Sequence, residues 1–443
     1  MSGQYRVLCQ VSCVALLCSV SFAVQAQEAP DPLRASILDD AAPPVATVSL
    51  LEEPPVVVPR KRRKVVDAYA PQGVGEGPIR FYPSLEIGGV ITSNVNSSAT
   101  AKQADVGLRI KPSLAFQSDW SRHQWRGFIN ADWIRYAGTP DASALTGTAQ
   151  TDFRLDILHT THADFSQSIT ANQSGNGNPE VPGNAISPRR DYNLTSAVGL
   201  THDFGGLEGQ VRLGLVRNSY DDVALLGGGT EINSDRNYVE PSVALRGTYG
   251  GRGALLKPFA EASYDPRFHD QAIDRNGQRR NSQGGALALG MILDDGPIWQ
   301  GDISANFIAR SFDDPALKTA TALGLSGNIT WSPTPLWNIV ASTGVSLGES
   351  EQANVSATQN WNFGLQANYA VRDNVNLRGG VSTSLTNSNT SLSSTTTASL
   401  GADWQLNPNM AVSGTVQSTW FGSSLPSSNY NEQRLITSLI LRR

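Results

Sequence analysis

From about residue 79 to the end, the sequence keeps one rhythm. Segments of 12 to 16 residues alternate apolar and polar side chains, with no helical period between them. Successive side chains of a strand point to opposite faces, so this alternation commits each segment to a strand with one apolar and one polar face. Thr321, Leu323, Leu325, Ile329 and Trp331 share a face against Ala322, Gly324, Ser326, Asn328 and Thr330. Trp337, Ile339, Ala341, Val345 and Leu347 oppose Asn338, Ser342, Gly344 and Ser346, and Trp361, Phe363, Leu365, Ala367 and Tyr369 oppose Asn360, Asn362, Gln366 and Asn368. Early segments agree, with Val106, Leu108, Ile110, Leu114 and Phe116 against Asp105, Arg109, Lys111 and Gln117.

The connections alternate as well. Tight turns centre near residues 121, 160, 205, 251, 295, 333, 372 and 407, with signals such as Phe204-Gly205-Gly206, Asp294-Asp295-Gly296-Pro297 and Leu406-Asn407-Pro408-Asn409. Between them lie longer polar loops over 94–103, 138–147, 174–190, 221–234, 267–281, 313–318, 349–354, 387–394 and 421–429. Nine long loops and eight short turns join eighteen strands, and the even count brings both ends of the sheet to the short-turn side. Short turns on one rim and long loops on the other are the pattern of an outer-membrane up-and-down antiparallel β-barrel, in which the short turns are periplasmic. A soluble β-sandwich would keep its apolar face inside and would not need strands of this length.

Composition narrows the class further. A mean hydropathy of −0.24 and the absence of any run of roughly 20 apolar residues exclude a helical membrane protein. The three cysteines, Cys9, Cys13 and Cys18, all precede residue 19, inside a segment that reads as a signal peptide over residues 1–26. Arg6 precedes an apolar stretch there, and Val24-Gln25-Ala26 ends in the small residue of a cleavage site. Export with cleavage would leave no thiol for disulfide, zinc or nucleophilic chemistry. Residues 27–78 read as a disordered Pro-rich and basic periplasmic linker, with Pro43-Pro44, Glu52-Glu53-Pro54-Pro55 and the run Arg60-Lys61-Arg62-Arg63-Lys64. Residues 79–443 are the barrel. The net charge of −5, which loses only Arg6 on cleavage, argues against a nucleic-acid partner.

An eighteen-stranded barrel leaves an aqueous channel unless something fills it. Its polar face supplies lumen-lining candidates of both signs: Arg109, Lys111, Arg126, Asp132, Arg154 and Asp156 early, then Arg212, Glu240, Arg246, Asp302 and Arg310, and finally Arg378 and Asp403. Charges are denser in the first eleven strands, and the last seven present mainly Ser, Thr, Asn, Gln and Gly, a wall suited to hydroxyl-rich solutes such as sugars. The tryptophans gather at strand ends, where amphipathic rings prefer the bilayer interfaces. Trp125, Trp299, Trp331, Trp337 and Trp404 lie near short turns and Trp133, Trp361 and Trp420 near long loops, which makes them membrane-interface candidates.

No catalytic constellation stands out, so the expectation is a non-enzyme without cofactor or metal. His159 and His162, with Asp156 and Asp164 nearby, sit at a turn that holds tetrahedral ligands poorly. His202 falls on an outward face with no serine motif to pair with it. Gly227-Gly228-Gly229 lacks the strand-to-helix context and following lysine of a phosphate cradle.

The opening Phe81-Tyr82-Pro83-Ser84-Leu85-Glu86-Ile87-Gly88-Gly89-Val90, then Asn94-Val95-Asn96, Pro112-Ser113-Leu114 and Ser118-Asp119-Trp120-Ser121-Arg122-His123, resembles the putative β-barrel porin 2 family of Gram-negative outer-membrane proteins. So do Asp132, Tyr136, Asp152, Arg154-Leu155-Asp156 and Tyr264-Asp265-Pro266-Arg267 with Asp270, Gly277, Arg280 and Ser282. The resemblance covers about residues 80–443 and implies an outer-membrane barrel; some relatives are associated with exopolysaccharide production and export. Where many such barrels place an aromatic residue read by the assembly machinery, this sequence has Leu441-Arg442-Arg443.

The functional expectation is a porin-like channel passing small hydrophilic solutes, with a loop over 174–190 folded inward to set its size limit. Its partners would be outer-membrane lipid, lipopolysaccharide and the assembly machinery, with a homo-oligomer left open. The alternatives are an outlet for exopolysaccharide and a non-conducting structural or adhesive barrel.

Overall fold

A computed structural model describes residues 69–443 except 76, 175–184, 252, 351, 389–390 and 425–428. The expected signal peptide and most of the linker, including the Arg60–Lys64 run, lie outside the described residues, as does most of the 174–190 loop. The barrel strands are β1 (Ile79–Thr92), β2 (Asp105–Ser118), β3 (Gln124–Tyr136), β4 (Ala144–Leu158), β5 (Thr161–Ser174), β6 (Arg189–Asp203) and β7 (Leu207–Tyr220). A two-residue ladder of β8 (Val223–Ala224) and β9 (Thr230–Glu231) decorates the following loop. The wall resumes with β10 (Tyr238–Tyr249), β11 (Leu256–His269), β12 (Ser282–Asp295), β13 (Trp299–Phe312), β14 (Ala320–Trp331), β15 (Trp337–Gly348), β16 (Thr358–Arg372), β17 (Val375–Asn387), β18 (Leu392–Asn407), β19 (Met410–Ser423) and β20 (Tyr430–Arg442).

Each wall strand pairs antiparallel with its chain neighbours, β7 with β10 across the decorated loop. The sheet then closes on itself, β1 against β20 from Ser84↔Arg442 to Thr92↔Arg434. Closure leaves no open edge between the first and last strands, which a spanning sheet in hydrocarbon requires. Short turns and long loops fall on opposite rims, at the places the local turn chemistry indicates.

Register sorts the side chains into two faces. Leu108, Leu213, Leu289, Phe307, Leu325, Leu365, Leu400 and Val416 are exposed on the outside. An apolar exterior of this extent is tolerable only against lipid. Arginine in place of Leu289, outward and central on β12, is expected to cost about 2–4 kcal/mol of folding free energy, because it puts a cation at mid-depth. Denaturant titration in lipid vesicles would measure it, and a loss below a few tenths of a kcal/mol would contradict the lipid-facing assignment.

One stretch of wall departs from the alternation. β14 and β15 pair only from Gly327↔Thr343 to Trp331↔Ile339, although both strands run on toward the long-loop rim. Above that point Val345 and Leu347, expected to face lipid, are buried with Ala322 and Ala357, against Ile308, Phe312, Ala320 and Trp361. Ile308, Ala322 and Ala320 lie on the inner side of β13 and β14, in register with Arg310 and Ser304. The distal half of β15 has therefore left the edge of β14 and, with the β15–β16 loop, lies inside the barrel, while β16 stays laddered to β17 out to Gln359↔Asn387. β15 and β16 stay paired with each other, from Gly348↔Thr358 through Val345↔Trp361.

Candidate functional site

All thirteen lumen candidates lie on the inner side of the wall, and most are engaged with one another. On β1 to β3, Arg109 is buried to 1% exposure and donates to Asp132 through Nε (2.9 Å) and Nη2 (2.5 Å), and to Glu86 through Nη1 (3.1 Å). Lys111 is buried beside it on β2. Arg126 and Asp152 approach to 3.6 Å, and Arg154 pairs with Asp156 at 3.1 Å. Arg378 pairs with Asp403 at 2.8 Å and donates to Ser413 and Thr415. Arg246 lies 3.8 Å from Asp302 and rests on the Phe259 ring, while Arg212 is buried on β7.

The densest group lines β10 to β13 near the long-loop rim. Arg310 donates to Glu240 (3.1 Å) and to Asp265. Arg267 donates to the same Glu240 (2.6 Å), stacks on Tyr238 and pairs with Glu349. His269 Nε2 lies 3.5 Å from the other Glu349 oxygen. Gly284 makes room for this packing, since a Cβ there would stand 2.5 Å from the Arg310 guanidinium and 2.6 Å from Asp265.

Glu349 comes from the β15–β16 loop, four strands away from β11. Adjacent strands lie about 4.7–4.9 Å apart, so the wall distance is roughly 19 Å, and the pairing exists only because the hairpin is folded inward. A second set of contacts anchors its tip: Arg280 donates to the backbone oxygens of Val355 (2.7 Å) and Gln352 (3.2 Å), and Gln278 donates to Asn354 (3.1 Å). Arg275, on the same β11–β12 loop, pairs with Asp235 at 2.8 Å and with Glu231, tying in the loop after β7. Three long loops thus interlock over one arc of the lumen.

Burial pushes the Glu349 carboxyl upward, but the facing Arg267 guanidinium and His269 outweigh it and hold it well below the ordinary carboxylate range. A carboxylate depressed in the docked state contributes its stabilisation in full above its free value near 4.5, and loses it only as pH falls through the lower docked value. Docking is therefore expected to be unchanged between pH 7 and 5 and to fail only well below pH 4.5. Hydrogen exchange of residues 345–348 would follow it, and release near pH 6 would contradict this balance.

The rest of the inner wall is quieter. β14 to β18 present Ser326, Asn328, Asn338, Asn368, Gln366 and Ser382, with the Arg378–Asp403 pair toward the short-turn rim. At the long-loop rim, Val90, Tyr136 and Ile436 form a small inward apolar cluster.

Aromatic pairs ring the short-turn rim: Trp120 stacks on Trp125 (6.4 Å), Trp299 on Trp331 (5.6 Å) and Trp337 on Tyr369 (4.5 Å), and Trp404 is exposed. Trp133 and Trp420 point outward near long loops. Trp361 does not join them. Its ring packs on the inward hairpin's apolar cluster and its Nε1 donates to the Leu323 carbonyl (3.1 Å). His162 Nε2 lies 3.3 Å from Asp164, and among the described residues no group of three or more His, Cys, Asp or Glu could hold a metal ion.

Sequence reasoning missed Glu86, Asp265, Arg267, His269, Arg280 and Glu349 as members of the inner network. Asp265, Arg267 and Arg280 were visible only within the family-like motif. Glu349 opens a polar loop with nothing local to mark it.

A closed eighteen-stranded sheet with an apolar exterior and a polar, ion-paired interior defines a transmembrane β-barrel of the outer membrane. The chain belongs to the putative beta-barrel porin 2 family, whose model matches residues 67–443. No curated protein matches it. Among solved structures it is similar to the FrpB iron transporter from Neisseria meningitidis, at 10% identity and a TM-score of 0.38, covering 78% of this chain and 62% of that one. It is also similar to the siderophore receptor PirA from Pseudomonas aeruginosa (10% identity, TM-score 0.36, 83% and 81% covered) and to PirA from Acinetobacter baumannii (9%, 0.37, 82% and 80%).

Proposed function

We propose that this barrel is a passive outer-membrane channel for small hydrophilic solutes, and that its ion-paired inner groups shape the path rather than perform bond chemistry. The observation that supports it most is the polar inner wall of an eighteen-stranded barrel, a size at which side chains alone do not fill the interior. The neutral amide and hydroxyl surface of β14 to β18 favours uncharged, hydroxyl-rich solutes. The paired charges of β10 to β13, with the docked hairpin, narrow the opposite arc.

Single-channel recording of the refolded barrel in a planar bilayer, with oligosaccharides added, tests this reading. Steady conductance is expected, with block by oligosaccharide. Conductance indifferent to sugars would leave a general channel. Strong block by long polymers alone would favour a polysaccharide outlet. Silence from a heat-modifiable, correctly folded barrel would sink the channel and leave a structural or adhesive role.

A further inference from the structure

The departure of distal β15 from β14 carries a second meaning, because the residues that make it possible also fit the opposite arrangement. Continuing the β14–β15 register upward from Gly327↔Thr343 would pair Leu325 with Val345, Leu323 with Leu347 and Ala322 with Gly348. In that register Val345 and Leu347 would join the exposed Leu323 and Leu325 on the lipid side, while Ala322 and Gly324 would line the lumen. The alternation of β15 is thus that of a wall strand throughout its length. Yet its distal half is docked inside.

The β14 carbonyls have hydrogen-bond partners in both arrangements. In the docked one, the free edge of β14 is covered by side chains: Gln359 donates to the Thr321 carbonyl (2.6 Å), Trp361 to Leu323 (3.1 Å) and Thr343 to Leu325 (3.3 Å). The Val345 amide in turn donates to the Ser326 hydroxyl (3.3 Å). In the paired arrangement those carbonyls would accept ladder hydrogen bonds instead. Val345 and Leu347 exchange an apolar cluster for lipid, which is equally apolar, so little hydrophobic free energy separates the two. β15 stays paired with β16 beside Val345 and Trp361, and β16 with β17 out to Gln359↔Asn387, so the part that moves is the free edge of β15, with the continuous β15–β16–β17 ladder flexing behind it. What favours the docked state is ionic: Glu349 on Arg267, and the tip on Arg280.

We propose that the distal half of β15, with the β15–β16 loop, is a gate with two registers, docked on the inner face of β13 and β14 or zipped against β14, and that the second widens the lumen. This deepens the channel reading and rests on it for its consequence, though the two registers themselves do not.

Cysteine pairs separate the states in a chain whose own cysteines all lie before residue 19. A Cβ at Gly324 would stand 2.9 Å from the Val345 Cβ, so Gly324→Cys with Val345→Cys reports the docked register. Ala322→Cys with Gly348→Cys would face each other only in the zipped register, as a non-hydrogen-bonded pair, the closer of the two antiparallel pair types. Cross-linking read by gel mobility in vesicles is expected for both pairs. Adding Glu349→Ala should raise the zipped yield several-fold and lower the docked one. Conductance should be higher in the zipped lock than in the docked lock, and reductant should abolish the difference. Absence of the Ala322→Cys/Gly348→Cys link, with and without Glu349→Ala, in a barrel that forms the docked link would overturn the gate. Both links forming without conductance in either would keep the two registers and overturn the channel reading.

Discussion

Glu349→Ala is expected to release the inward hairpin and raise the single-channel conductance while leaving the barrel folded. Its carboxylate and the Arg267 guanidinium are both nearly excluded from water, at 7% and 5% exposure. Removing one partner of a buried pair leaves the other uncompensated, at a cost of about 3–5 kcal/mol. Glu240 still holds Arg267 at 2.6 Å, which places the loss toward the lower end. Even about 3 kcal/mol shifts a two-state equilibrium by roughly a hundredfold, since 1.4 kcal/mol is tenfold. The double variant Arg267→Met/Glu349→Met removes both charges and replaces them with apolar groups of similar reach. It should restore docking, because Arg310 remains to satisfy Glu240 at 3.1 Å and no charge is stranded. Protease susceptibility of the β15–β16 loop and conductance, measured on the same preparations, check both variants. Equal conductance in wild type and Glu349→Ala, with the loop equally protected, would show that Glu349 does not anchor the hairpin.

The eighteen strands were legible because each rests on local information. Alternation marks a strand and the faces of its residues, and Gly205-Gly206 or Asn407-Pro408-Asn409 mark a turn without reference to distant chain. The inner position of Arg109, Arg310 and Asp403 follows by parity once the outer face is known. Parity also placed Val345, Leu347 and Trp361 outside, and there the inference met its limit. Alternation says which residues share a face of a strand, but not whether that strand remains in register with its neighbour. Docking of the hairpin depends on Glu349 meeting Arg267, 82 positions earlier, and on Arg280 meeting Val355, 75 positions later. No local pattern encodes such pairs.

The same long-range logic makes Arg109→Met the second large effect. Arg109 is the side chain that joins β1, β2 and β3 from inside, beside the seam where β1 closes on β20. Its guanidinium neutralises Glu86 and Asp132 together, and those two carboxylates keep only 13% and 21% exposure. Methionine would fill the volume but leave Glu86 and Asp132 in a poorly solvated corner with Lys111, opposite Glu86 on β2, as the cation they share. A loss of about 3 kcal/mol is expected, the low end for breaking a buried pair, because both carboxylates retain some water. Urea unfolding in lipid vesicles would read it as a lower midpoint with an unchanged slope. The double variant Arg109→Met/Asp132→Asn, which leaves Glu86 opposite Lys111, should recover most of the loss, since the cost lies in stranded charge rather than in lost packing. If the double variant is no more stable than Arg109→Met, packing of the arginine stem against the wall would be the larger contribution, and the ionic account of this corner would fail.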